Sequence, residues 1–485
     1  MTQMQINIES VPKDLYIGGK WRESADGSRF DVIDPANEQK LASVASATVE
    51  DAVAAVDAAH AAAAGWAATP PRARGEILRR AYEIMVARKD DLARLITLES
   101  GKALAEARGE TLYAAEFLRW FSEESVRILG EISVAPNGAN RIIVQRQPIG
   151  IAVFVTPWNF PAAMATRKIG PALAAGCTTV LKPAKETPLT ALAMASIFEE
   201  AGVPPGVVNV IPTLRSSKAV GAMLKDSRVR KFSFTGSTET GRVLLSQAAE
   251  NVVKCSMELG GNAPFIVFAD ADLDNAVAAA MIAKLRNGGE SCTAANRFYV
   301  EKPVAKEFAR RFAAAMADIK IGHGLEEGVA LGPMINADTR DKIDALVKDA
   351  LSEGATLVTG GKAPEGKGFF YEPTVLADVA ANARILQQEI FGPVAPIASF
   401  EGEEEAIALA NATEFGLVSF VHTRDLAKAM RVADRIESGM VGINRGVVSD
   451  PAAPFGGWKQ SGVGREGAHD GLLEYLESKY IAVNW

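Results

Sequence analysis

The chain changes its hydrophobic rhythm twice. Between residues 49 and 121 apolar positions recur at three- and four-residue spacing, which predicts helices over 49–68, 77–98 and 103–121, the first rich in alanine. Short β-type runs at 132–135 and 142–144 flank a turn containing Pro136, Asn137, Gly138 and Asn140, the pattern of a protruding hairpin. From Ile149 onward come apolar runs without alternation, IAVFV, TTVLK, VVNVI, KFSFTG and PFIVF, with helical stretches between them. A run apolar at every position is buried on both faces, and helices between such runs imply right-handed crossovers in a parallel sheet. A second series follows, with strands predicted at 298–300, 355–359, 396–400, 418–423 and 441–444. The fold class is therefore α/β, doubly wound.

Composition narrows the class of function. A chain of 485 residues with 48% hydrophobic residues has material for about three domains or two large lobes. With 52 Lys+Arg against 59 Asp+Glu, a net charge of −7, it makes a poor polyanion binder. The opening MTQMQINIES has no basic stretch followed by an apolar one, and no later segment is long and apolar enough to span a bilayer, so a cytoplasmic protein is expected. Cys177, Cys255 and Cys292 are few, odd in number and widely spaced, which argues against a disulfide framework or a zinc site. No metal is expected, and any cysteine that matters should matter as a thiol.

In open parallel sheets ligands gather where strands end and helices begin. Three segments fit: TPWNFP (156–161), LKPAKETP (181–188) and FTGSTETG (234–241). The glycines of the last would let Ser237 and backbone amides approach a pyrophosphate, although the spacing is not GxGxxG, and a plain capped turn fits it too. Cys292 lies in RNGGESCTAANR, where paired glycines allow a tight bend that exposes the sulfur, so it is the candidate nucleophile. Cys177 and Cys255 sit in apolar or helical settings and are read as packing residues. None of the 4 His is placed for a Cys/His pair. Glu258, in MELGGNAP, is either a buried base with a raised pKa or a helix-terminal carboxylate in solvent.

PWNFP, FTGSTETG, ELGGNAP, the Cys292 segment, EIFGPV (389–394) and PFGGWKQSGVGRE (454–466) follow in this order, and together the chain resembles the aldehyde dehydrogenase superfamily over essentially its whole length. The resemblance implies a Rossmann-like cofactor domain (1–130 and 148–257), an α/β catalytic domain (258–467) and a β-hairpin oligomerisation arm (131–147 and 468–485). It also implies that the hairpin pairs with the C-terminal strand of another subunit, in a homodimer or homotetramer. By the same resemblance Cys292 attacks the aldehyde, and Asn159 and the Cys292 backbone N–H hold the oxyanion. Glu258 then activates the water that releases a carboxylate. Lys182 meets the adenine ribose, Trp158 and Ser237, beside Gly236, meet the pyrophosphate, and Glu389 meets the nicotinamide ribose with Phe391 beside the ring. Lys168 is a matched polar residue near the site and Glu466 a proton-relay candidate.

Arg167 stands where relatives for neutral aldehydes carry an aromatic residue. With Arg286 and Ser449 it resembles the succinate-semialdehyde dehydrogenase branch, in which two arginines and a serine hold the far carboxylate of the substrate. Phe160 and Phe455 would wall that pocket. The competing reading makes Arg167 a solvated helix charge and Arg286 a cation at a helix C-terminus. Lys185 occupies a position where NAD-preferring relatives often carry glutamate, so NADP is expected to be preferred and NAD tolerated, unless Lys185 points into solvent. Glu290 replaces a common glutamine and is expected to face away from the sulfur, and Ala294 removes a second cysteine. Arg445 is either a third cationic contact or structural. The rival readings are a glutarate-semialdehyde dehydrogenase or a broad-specificity enzyme. A CoA-acylating enzyme is disfavoured by Glu258, and a non-enzymatic relative by Cys292, Glu258 and Asn159 together.

Overall fold

In the computed structural model the described residues are 7–484; Trp485 and the first six residues, part of the segment read for a leader, lie outside them. The first sheet has eight strands, in spatial order Lys20–Arg22, Leu15–Ile17, Val208–Val210, Thr178–Lys182, Ile151–Val155, Val229–Thr235, Lys254–Glu258 and Gly462–Val463. The five from Val208–Val210 to Lys254–Glu258 are parallel. Ile151–Val155 and Thr178–Lys182 are buried at every position, as their unbroken apolar runs require. In chain order these five strands read 3-2-1-4-5, so the winding reverses between Ile151–Val155 and Val229–Thr235. The segments following those two strands, 156–160 and 236–237, therefore flank the crevice where a ligand is expected.

The first predicted helix forms as Val49–Ala68, started by a capping box in which Thr48 and Asp51 satisfy each other's backbone N–H groups. The predicted 77–98 helix is instead two, Pro71–Ala87 and Lys89–Ser100, broken at Arg88 (φ −106°, ψ 18°), whose buried guanidinium pairs with Glu200. Apolar spacing alone does not reveal such a break, because both pieces keep the same face inward. Leu104–Glu124 packs on Pro161–Ala175, a helix buried along its whole length. Cys255 lies on the strand Lys254–Glu258, not in a helix.

The second sheet has seven strands, in order Thr356–Thr359, Thr374–Ala377, Val394–Phe400, Ala295–Glu301, Ala263–Val267, Val418–His422 and Met440–Ile443, parallel except for the first. The chain returns at Gly462–Val463 to pair antiparallel with Met257 and Glu258, stitching the late segment to the first sheet beside Glu258.

A third, three-stranded sheet projects as the arm: Glu131–Val134, Arg141–Pro148 and Leu476–Val483. Here the expected pairing is corrected. The C-terminal strand pairs with the hairpin of its own chain, from Leu476 opposite Pro148 to Val483 opposite Arg141. Tyr475 C=O accepts from Ile149 N–H (3.0 Å), so the chain leaves the body beside the place where the hairpin re-enters it, and an intramolecular register follows. Among the described residues no helix is long and apolar enough to cross a membrane.

Candidate active site

Where Ile151–Val155 ends, residues 156–160 turn into the helix Pro161–Ala175. That N-terminus is held by Glu110, whose carboxylate accepts from Ala162 N–H (2.9 Å) and Ala163 N–H (3.3 Å). Glu110 pairs in turn with Lys102, which donates to the Asn159 carbonyl at 2.6 Å, and both ions are buried. Asn159 is thus fixed by its backbone. Its side-chain amide donates to the Glu290 carbonyl (3.0 Å) and leaves one hydrogen over for the cavity it lines.

The segment carrying Cys292 is bent by three left-handed residues in succession, Asn287, Gly288 and Gly289. A Cβ on Gly289 would stand 2.3 Å from the Gly392 carbonyl, so a glycine at 289 is a steric requirement. Asn287 ties the bend to the helix start by donating to the carbonyls of Asn159 (3.0 Å) and Glu290 (2.9 Å). From the other side the ELGG turn closes on the nucleophile, where a Cβ on Gly261 would lie 2.2 Å from the Cys292 carbonyl.

Cys292 opens into a cavity of about 260 Å³ lined also by Asn159, Phe160, Arg167, Arg286, Ser449 and Phe455. The same cavity is walled by Trp158, Gly236, Ser237, Glu389 and Phe391. Arg167 is 2% exposed, which overturns its reading as a solvated helix charge. Its guanidinium lies 4.0 Å from the Phe455 ring, donates to the Tyr113 hydroxyl at 2.5 Å, and stands 3.6 Å from Glu466. Arg286 donates to Ser449 Oγ (3.4 Å) and lies 5.1 Å from the Phe160 ring. Guanidiniums held among aromatic faces have lost much of their water, so a carboxylate entering between them meets strong, directional donors.

Burial pushes the Cys292 thiol up to about 12, with the charges of Glu389 and Glu258 adding to the rise and Arg167 and Arg286 opposing it. The resting group is the thiol, and chemistry here needs a base. Glu258 is buried, not in solvent. Burial first, then the neighbouring charge of Glu466, lift its carboxyl well above the usual carboxylate range, against Lys168, Arg167 and Arg465. Its Oε2 has no hydrogen-bond partner among the described residues. The adjoining Leu259 and Gly260 line the cavity while Glu258 itself does not. Lys168, fully buried, donates to Ser233 Oγ (2.8 Å) and pairs with Glu466.

The remaining wall suits a dinucleotide. Ser237 caps the helix Thr238–Ala249, presenting its first-turn N–H groups, and Thr235 Oγ1, buried on the cavity wall, has no partner among the described residues. A Cβ on Gly236 would collide with the Phe234 ring at 2.4 Å. Trp158 meets Phe391 edge to face at 5.4 Å, and Glu389, raised by burial to about 7, accepts from Gly261 N–H (3.1 Å). Lys182 is buried beside Ser216 (3.2 Å), and burial lowers it to about 8. Lys185 stands in solvent, 61% exposed, 3.8 Å from Glu186, so it does not line the cavity.

Glu290 faces away from the sulfur as expected: its carboxyl accepts from Ile335 N–H (3.0 Å), and burial raises it to about 8. Arg445 is exposed and outside the cavity wall. Sequence reasoning missed Tyr113, Lys102, Glu110 and Asn287. One signal was available, a glutamate at position 110 on the otherwise apolar face of Ala107, Ala114 and Phe117.

The profile of the Aldehyde dehydrogenase family matches residues 21–481. A succinate-semialdehyde dehydrogenase of Paenarthrobacter nicotinovorans is 58% identical over 443 residues, 91% of this chain and 98% of that one. A glutarate-semialdehyde dehydrogenase of Pseudomonas putida is 49% identical over 97% of this chain and 98% of its own. Among solved structures, an E. coli NADP dependent enzyme is similar with a TM-score of 0.98 at 48% identity, covering 99% of this chain and 100% of that one.

Proposed function

The chain belongs to the aldehyde dehydrogenase family, and from that premise we propose that it oxidises succinate semialdehyde to succinate through a cysteine thioester, with NADP preferred and NAD tolerated. One observation carries the choice of substrate: Arg167, Arg286 and Ser449 line the same cavity as the Cys292 thiol. A four-carbon molecule with an aldehyde at one end and a carboxylate at the other has a use for both.

The steps follow from the groups present. Glu258, the buried base, takes the thiol proton of Cys292, and the thiolate adds to the carbonyl carbon. The alkoxide that forms is held by the spare amide hydrogen of Asn159 and the Cys292 backbone N–H, donors already fixed by Lys102, Glu110 and Asn287. Trp158, Gly236, Ser237, Glu389, Phe391 and Lys182 would hold NADP, which would supply the hydride acceptor needed for oxidation of the thiohemiacetal to the thioester. Once Glu258 has passed on the thiol proton, water adds to the thioester as Glu258 accepts its proton; the C–S bond breaks, Cys292 leaves as thiolate and succinate is released. Lys168 and Glu466 adjoin Glu258 as a buried route for that proton. Throughout, Arg167 and Arg286 hold the distant carboxylate while Phe160 and Phe455 exclude water.

The NADP preference rests on the E. coli relative and on Lys182, buried beside Ser216 at the end of one strand; Lys185 stands in solvent and adds nothing to it. The arm, with Ile132 and Val134 exposed on its free edge strand, is proposed to build a cytoplasmic homodimer or homotetramer. A second reading, glutarate semialdehyde as substrate, is favoured by the Pseudomonas relative and uses the same anion-holding groups.

A substrate panel with each nicotinamide cofactor tests this. Succinate semialdehyde is expected to exceed butyraldehyde in kcat/KM by about 10²-fold or more, with glutarate semialdehyde lower and NADP used better than NAD. Butyraldehyde equal to both semialdehydes would defeat the carboxylate pocket, and glutarate semialdehyde ahead would select the second reading.

A further inference from the structure

We propose that Tyr113 is a specificity-determining residue, whose hydroxyl donates to the substrate carboxylate alongside Arg167, Arg286 and Ser449; this rests on the semialdehyde reading above and deepens it. Tyr113 comes from the helix Leu104–Glu124 and lines the cavity that holds Cys292. Its ring lies between the two cations, with the guanidinium carbons of Arg167 and Arg286 at 5.7 and 5.6 Å from its centre.

The direction of its hydrogen bond decides the role. Arg167 has no acceptor, so at 2.5 Å Arg167 Nη2 donates and the Tyr113 oxygen accepts. Among the described residues this is the one hydrogen bond the hydroxyl makes, so its own proton is unspent in a cavity flanked by two cations. Receiving a charged donor also makes a hydroxyl a better donor itself. Tyr113 thus presents an unspent hydrogen on the cavity wall, and a carboxylate oxygen supplies its acceptor. A phenol adds this donor without adding charge, so it discriminates a carboxylate from a methyl group while leaving the field on the sulfur unchanged.

Steady-state kinetics with succinate semialdehyde and butyraldehyde on wild type, Tyr113→Phe, Arg167→Met and the double variant test this. Tyr113→Phe keeps the ring and its packing. It is expected to lower the ratio of kcat/KM for the semialdehyde over butyraldehyde by about tenfold, the worth of a hydrogen bond to a charged group. A further drop in that ratio is expected when Tyr113→Phe is added to Arg167→Met, because the hydroxyl acts on the substrate and not only through Arg167. An unchanged ratio, an equal loss on both aldehydes, or a drop that disappears in the Arg167→Met background would overturn the proposal. A wild-type enzyme without preference for the semialdehyde would overturn both this assignment and the reading beneath it, and that outcome shows in the wild-type arm alone.

Discussion

Replacing Cys292 by alanine is expected to lower kcat by about 10⁴-fold or more while the folded protein still binds nicotinamide cofactor. The size of the loss follows from the absence of a substitute. Cys177 is fully buried against the Tyr475 carbonyl, and Cys255 lies on a strand of the first sheet outside the cavity wall. The alanine fits without rearrangement, because the bend at Asn287, Gly288 and Gly289 is set by backbone contacts and not by the sulfur. Aldehyde-dependent cofactor reduction, read alongside cofactor binding and thermal stability, checks it. Reduction persisting at the wild-type rate would remove Cys292 as nucleophile.

Glu258→Gln is expected to slow turnover by about 10²–10⁴-fold, the usual reach of a general base, and to do so unevenly between the two half-reactions. Thioester hydrolysis is expected to be the step that depends most on Glu258, so the variant should release a burst of reduced cofactor, of at most one equivalent per site, and then stall as acyl-enzyme visible by intact-protein mass. The sign of the pH effect follows from burial. The Glu258 carboxyl is raised well above the usual carboxylate range, chiefly by desolvation and then by Glu466, so its protonated form persists to higher pH than for an exposed glutamate. A base must be ionised to act. Wild-type hydrolysis should therefore rise with pH through that raised pKa and level off above it, whereas Glu258→Gln should lose this limb. A variant retaining the wild-type profile would place the base elsewhere.

Much of this was legible in the residues. IAVFV and TTVLK occupy the strands Ile151–Val155 and Thr178–Lys182, because a run apolar on both faces has few other places to go. The paired glycines before Cys292 announced a bend, and at Gly289 no side chain could be accommodated. What could not be read depends on partners distant in sequence. Tyr113 and Glu110 look like ordinary positions in an amphipathic helix until Leu104–Glu124 packs on Pro161–Ala175 and brings them to Arg167 and to the helix N-terminus. The break at Arg88 is equally non-local, since its partner Glu200 is far along the chain. The resemblance pairs the C-terminal strand with the hairpin of another subunit, and only the proximity of Tyr475 to Ile149 settles that the partner is its own hairpin.

The most direct test asks whether one cavity grips both ends of one molecule. Arg167→Met together with Arg286→Met should cut kcat/KM for succinate semialdehyde by about 10³-fold, as the loss of two desolvated charge pairs implies, with butyraldehyde affected far less. The preference for the anionic aldehyde would then collapse. Retention of that preference in the double variant would mean that the carboxylate is bound elsewhere, and would contradict the account at its centre.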